Sequence, residues 1–316
     1  MMMKPTLLTT LAATTATATE LLLPLYQYPA DNGGAWQPIE DALTANPSLT
    51  AKIIINPNNG PGEGPSQGIN DPQYEAGGKL LAAHANAQLL GYVHTSTDGG
   101  ATRCTVPWAD VEADIRTWAT WVDAGVAMRG IFIDEAPNNS VNPECEAYMQ
   151  NLTTLIRTDA ELVEKFGPQP VVVFNPGGTG QLQPYYEMEP DYIVALETCF
   201  TVPEHAGGDY DQCPATGVYE IYDHDGPGSS IDNVLFPSVG EANAARTAVL
   251  VHGFHHFNGP TANLTATEAV LEELVGAVVQ RGIGATFFNT RGYHAFEDEP
   301  ATIGVVADVL NAANAA

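Results

Sequence analysis

The feature that most constrains this chain is a rhythm of eight short aliphatic runs spread along nearly its whole length. They occupy 20–29, 51–62, 87–96, 129–137, 170–178, 191–200, 247–254 and 282–292, and each passes from apolar into polar residues. Continuous apolar runs of this length fit parallel strands buried on both faces. Helical patterns lie between most of them. Trp108, Val111, Ile115, Trp118 and Val122 recur at helical spacing, as do Tyr148, Leu152, Leu155 and Ile156. Val270, Leu271, Leu274, Val275 and Val278 do the same, and so do Ile303, Val306, Val309 and Leu310. The helix before the seventh run is the least clear, because residues 239–246 are short for one. Eight strands alternating with helices predict an α/β fold, a single (β/α)8 TIM barrel over residues 20–316. The runner-up is an open doubly wound sheet, but no Gly-x-Gly-x-x-Gly follows the first run.

Residues 1–19 read as a signal peptide or a disordered tail. Lys4 precedes a weakly apolar stretch, Leu7 to Thr19, with Ala16-Thr17-Ala18 near its end. A secreted or cell-wall location is expected on that basis. No run approaches the roughly 20 apolar residues of a membrane span. Four cysteines, Cys104, Cys145, Cys199 and Cys213, form no Cys-x-x-Cys pair, which argues against zinc and dithiol redox chemistry. An even count suggests two disulfides, with Cys199–Cys213 and Cys104–Cys145 preferred among the three connectivities.

Formal net charge is -27, from 11 Lys+Arg against 38 Asp+Glu. Such a surface repels phosphate backbones and disfavours nucleic acid as a partner. It suits a cationic polymer carrying free amines, although solubility alone also accounts for it. No cofactor is expected, and a monomer is expected.

In a barrel of this kind the chemistry sits where the strands end. The strand ends offer Tyr26 and Tyr28, Asn56, Tyr92 and His94, Asp134 and Glu135, Asn175, Glu197, His252 and Asn289. Together they predict a polar ring above an apolar core. Asp134-Glu135 is the sharpest signal, since two carboxylates follow Gly130-Ile131-Phe132-Ile133 directly and buried carboxylates are costly unless used or paired. The bland alternative has Asp134 capping the next helix or pairing with Arg129. Glu197 occupies the same place two strands later. Carboxylates at separate strand ends facing one mouth are what glycosidic cleavage needs: one protonates the leaving oxygen, the other attacks, activates water or stabilises positive charge. Asp134, Glu135 and Glu197 are therefore the catalytic candidates. Tyr26, Tyr28, Asn56, Tyr92, His94, Asn175, His252 and Asn289 are the substrate-binding candidates. Trp36, Phe200, Phe254 and Phe288 are further aromatic surfaces a sugar could use. His94, His252, His255 and His256 invite a metal reading, but the first strand carries Tyr26-Gln27-Tyr28 where metal-dependent barrel hydrolases need a His pair, and no metal is expected. Gly60-Pro61-Gly62 and Gly177-Gly178 lack a companion Lys and read as turns, and there is no Gly-x-Ser-x-Gly elbow.

These strand ends resemble the spherulation-specific family 4 (spherulin-4) proteins. The matching pieces are Pro24-Leu25-Tyr26 with Tyr28-Pro29, Ile55-Asn56-Pro57 with Gly60-Pro61-Gly62, Gly91-Tyr92-Val93, Gly130 to Glu135, Asn175-Pro176-Gly177, and Glu197. They run from about residue 21 to 292. Two features depart from the pattern. A Thr-x-Tyr-like stretch after the third strand is only partly kept, as His94-Thr95-Ser96, and the loop after Glu197 is long and carries cysteine. The resemblance implies a barrel related to glycoside hydrolase family 135, whose fungal members are endo-acting on α-1,4-linked N-acetylgalactosamine in galactosaminogalactan. It also implies Asp134, Glu135 and Glu197 as the catalytic positions. Two rival readings remain open: a non-catalytic binding or structural barrel that holds a cell-wall polymer without cutting it, and a metal-dependent hydrolase.

Overall fold

The computed structural model describes residues 18–62, 71–97, 104–138, 143–180, 182–200, 222, 230–252, 254, 268–288 and 302–316. Eight parallel strands close into a barrel in chain order. They are β1 (Glu20–Leu25), β2 (Ala51–Ile55), β3 (Ala87–His94), β4 (Met128–Asp134), β5 (Val171–Phe174), β6 (Tyr192–Cys199), β7 (Thr247–His252) and β8 (Ala285–Phe288). Closure is made by β1 against β8, in register Glu20 with Ala285 and Leu21 with Thr286. The predicted TIM barrel is the fold observed; seven of the eight predicted runs contain their strand whole, and β4 begins one residue before its run.

Helices cover the outside. They are α1 (Gln37–Ala45), α2 (Pro72–Ala82), α3 (Trp108–Asp123), α4 (Pro143–Thr158), α5 (Ala160–Phe166), α6 (Gln183–Glu187), α7 (Phe236–Val239), α8 (Glu268–Gln280) and α9 (Ile303–Ala315). Local chemistry sets several starts. Asp71 accepts from the N–H groups of Gln73 and Tyr74, with Pro72 as the first helical residue of α2. Asp159 accepts from Glu161 and Leu162 and opens α5. The unclear helix before the seventh strand proves to be a series of short turns. A π-helical turn over Ser230–Leu235 leads into α7 and then into a 3-10 turn over Glu241–Arg246. No 3.6-residue stripe was legible there because no sustained α-helix forms.

Two glycines let the layers approach. A Cβ on Gly130 would lie 2.0 Å from the carbonyl oxygen of Val171 on β5. A Cβ on Gly91 would lie 2.4 Å from the indole of Trp118, which is fully buried and donates its N–H to the Tyr92 carbonyl at 2.8 Å. Gly91 thus faces α3, and period-two alternation turns Tyr92 into the barrel. Phe174 packs on Tyr185 of α6, so Asn175 likewise turns inward. At the opposite end of the barrel, buried Lys52 pairs with Glu20, which also accepts from the Tyr192 hydroxyl at 2.7 Å. Lys52 lies 5.0 Å over the Tyr192 ring as well.

Overpacking a close-packed contact of this kind costs about 1–3 kcal/mol. Gly91→Ala is therefore expected to lower the unfolding free energy in urea by about that amount. An unchanged midpoint would show that Trp118 gives way freely.

Candidate active site

The strand register sets up the site. His94 on β3 stands opposite Asp134 on β4, and Tyr92 opposite Phe132. Tyr92 therefore sits one inward position below Asp134, and its hydroxyl donates to Asp134 Oδ2 at 2.6 Å. Asn175, just past β5, donates from Nδ2 to Asp134 Oδ1 at 2.8 Å and to Glu197 Oε2 at 3.0 Å. Its own Oδ1 accepts from the Gly177 N–H at 2.9 Å, which fixes the amide the right way round. Glu197 Oε1 meets His252 Nε2 at 2.6 Å. Glu197, Asn175, Tyr92 and His252 are all buried, whereas Asp134 and Glu135 are partly so.

The backbone beneath the acidic pair is held from both sides. Thr95, past β3, donates its N–H to the Asp134 carbonyl at 3.1 Å. Its hydroxyl donates to the Asp134 and Glu135 carbonyls at 3.3 and 3.1 Å. From the β5 side, Asn175 N–H donates to the Ile133 carbonyl and Ala136 N–H to the Asn175 carbonyl. Within this frame Glu135 adopts φ 54, the left-handed region that a side-chain-bearing residue enters at a cost. The frame over-determines that conformation and aims Glu135 differently from Asp134.

Electrostatics acts strongly on Asp134. Desolvation pushes the Asp134 pKa up, and the negative charge of Glu197 pushes it further. Hydrogen bonds from Tyr92 and the Glu135 backbone pull the other way, and the result is about 7. Tyr92 is driven up by burial and by Asp134, so it stays a donor.

The remaining candidates have varied surroundings. Tyr26 lies edge-on to Tyr92, with ring centroids 5.9 Å apart. Tyr28 is exposed on the rim, and its hydroxyl donates to Asp71 at 3.1 Å. Asn56, expected to meet substrate, is buried and accepts the Gly60 N–H at 3.0 Å, so its side-chain oxygen closes its own loop. His94 Nδ1 meets the Asn59 carbonyl at 2.9 Å. His252, also expected to touch substrate, is 1% exposed and bonded to Glu197. Trp36 and Phe288 are core residues, and Phe200 packs on Phe254 with centroids 4.9 Å apart. Asn289, His255, His256 and Cys213 lie outside the described residues. Thr95 was not singled out from sequence, although its place just past β3 is the same signal that marked its neighbours. Among the described residues no group of three or more His, Cys, Asp or Glu could hold a metal, and no helix is long and apolar enough to cross a membrane.

The expected Cys104–Cys145 bridge is not closed. Both are thiols, with the Cys104 N–H 2.7 Å from Cys145 Sγ. Burial and the neighbouring Cys145 push the Cys104 thiol up.

The family model for spherulation-specific family 4 matches residues 20–306. The chain belongs to that family. Among solved structures, Aspergillus clavatus Sph3, determined in complex with GalNAc, superposes with a TM-score of 0.67 at 22% identity. The match covers 93% of this chain and 98% of Sph3. The chitinase RmChi1 from Rhizomucor miehei superposes at 0.51 and 11% identity, covering 94% of this chain and 100% of the chitinase. A Bacteroides ovatus GH5 xyloglucanase superposes at 0.50 and 9% identity, covering 93% and 75%. These likenesses agree with the closed (β/α)8 barrel. A comparison with curated proteins gave no match.

The Asp134 shift has a consequence for stability. In the unfolded chain this carboxyl titrates near about 4, against about 7 when folded. Below the lower value both states hold the proton and the group is neutral to stability. Between the two the unfolded state alone releases it, so stability falls as pH rises, and above about 7 the loss is complete. Asp134→Asn is expected to flatten that fall in urea midpoints measured across this window. A slope like that of the wild type would assign the effect to another group.

Proposed function

We propose that this protein is a glycoside hydrolase, endo-acting on a polysaccharide that contains N-acetylgalactosamine and resembles galactosaminogalactan. Glu135 and Glu197 serve as the acid and its carboxylate partner, and Asp134 orients and tunes them. The observation that carries the reading is the Asn175 amide bonded to Asp134 and Glu197 together. It gathers carboxyls from β4 and β6 at one mouth. Burial and the charge of Glu197 raise Asp134 to about 7, the kind of shift that divided acid and base roles in glycoside cleavage use.

The substrate class rests on family membership and on Sph3, whose structure contains GalNAc. Partial deacetylation would make the polymer cationic, which the -27 charge suits. Tyr26 and Tyr28 supply aromatic surface at the rim for successive sugars.

Removing either acid–base partner is expected to cut cleavage at least about a hundredfold. Glu135→Gln and Glu197→Gln, assayed on purified galactosaminogalactan by new reducing ends, test this. Wild-type rates in both variants overturn the proposal. Binding by the native protein with no new ends over long incubation favours a polysaccharide-binding protein instead.

The same reading takes residues 1–19 as an export signal and the folded chain as a secreted monomer. In an oxidising compartment the neighbouring thiols of Cys104 and Cys145 form a disulfide. They give two electrons and two protons to a donor disulfide, which leaves as two thiols. Peptide mapping of the secreted protein, alkylated without reduction, is expected to recover these two cysteines linked. Recovery of both as alkylated thiols overturns this part alone.

A further inference from the structure

We infer that His252 is a positioning residue that locks Glu197 as the fixed carboxylate of the site and leaves acid work to Glu135. The inference rests on the hydrolase reading above and deepens it.

His252 is 1% exposed and Glu197 is 7% exposed. Glu197 and Cys199 belong to β6, and Cys199 is the register partner of His252 on β7. Glu197 therefore reaches His252 diagonally across the two strands, two residues down. Each Glu197 oxygen is already engaged: Oε1 by His252 Nε2 at 2.6 Å, Oε2 by Asn175 Nδ2 at 3.0 Å. A carboxylate held at both oxygens from two different strands cannot rotate about its terminal bond. It presents one fixed face to charge that develops above it, which is where preorganised electrostatics acts.

Where the Glu197 carboxyl is ionised it can only accept, and Nε2 then carries the hydrogen. Among the described residues no Lys or Arg pairs with Glu197 or Asp134, and the His252 ring is the group that meets Glu197 Oε1. Glu135 differs in both respects that matter for an acid. It is less buried as a residue than Glu197, and its backbone is left-handed where that of Asp134 belongs to the strand. A group that must give a proton to a leaving oxygen and take it back needs that access.

The experiment compares His252→Gln, His252→Asn and His252→Leu in the full chain, with kcat, KM and thermal midpoint measured on the same polymer. A Gln amide nitrogen can occupy the place of Nε2, whereas an Asn amide is too short. Loss of a preorganised donor of this type is worth about a hundredfold. Leu and Asn are expected to lower kcat by about that factor, with KM within about threefold, and Gln to stay within about tenfold of wild type. Because His252 acts through Glu197, His252→Leu is expected to change the residual rate of Glu197→Gln less than about threefold. If Leu fails to fold, the contrast between Gln and Asn at matched thermal midpoints decides. Several outcomes overturn the inference. One is unchanged kcat in Asn and Leu. Another is a loss confined to KM, which would make His252 a substrate contact. A third is equal losses in all three variants that track the thermal midpoint. Full activity of Glu197→Gln together with full activity of Glu135→Gln sinks the hydrolase reading itself. An inactive Glu197→Gln beside a fully active His252→Leu sinks only the role of His252.

Discussion

One amide nitrogen organises the mouth of this barrel. Asn175 donates both Nδ2 hydrogens to carboxyls on different strands, and its oxygen is taken by Gly177. Two acidic groups brought this close repel unless one keeps its proton, and Asp134 is the one raised to about 7. Asn175 also ties the backbone, through Ile133 and Ala136, to the strand that carries the pair. Remove that residue and the geometry on β4 and the geometry on β6 lose their common reference. Thr95 then holds the pair from one side only.

The frame explains why the strained residue is Glu135 and not a neighbour. Asp134 still belongs to β4 and accepts from Tyr92 below it. The next residue must leave the strand while its carbonyl stays tied to Thr95 and the following N–H stays tied to Asn175. The left-handed conformation at φ 54 is how the chain meets both demands. Adjacent carboxylates in an extended strand would face opposite sides of the sheet; the turn at Glu135 is what keeps both at the mouth.

Much of this could be read from the amino-acid order. Strand positions followed from apolar runs because a parallel sheet buried on both faces writes itself as continuous Val, Ile and Leu. The strand ends followed from the runs, and with them Asp134, Asn175 and Glu197. What periodicity could not supply was depth. Asn56 and His252 stand at strand ends just as Asn175 does, yet one closes its own loop and the other is buried against a glutamate. Those differences arise from which strands stand beside which and by how much they are staggered. The turns over 230–246 escaped for a simpler reason, since π and 3-10 segments leave no 3.6-residue stripe.

The far end of the barrel bears on traffic through the molecule. Lys52, Glu20 and Tyr192 stop the interior with an ionic cork, and packed side chains fill the space above it. The barrel is a cul-de-sac. On the proposed hydrolase reading, a long polymer would then lie across the opening instead of threading it, and exposed Tyr28 on the rim would be among the residues it meets.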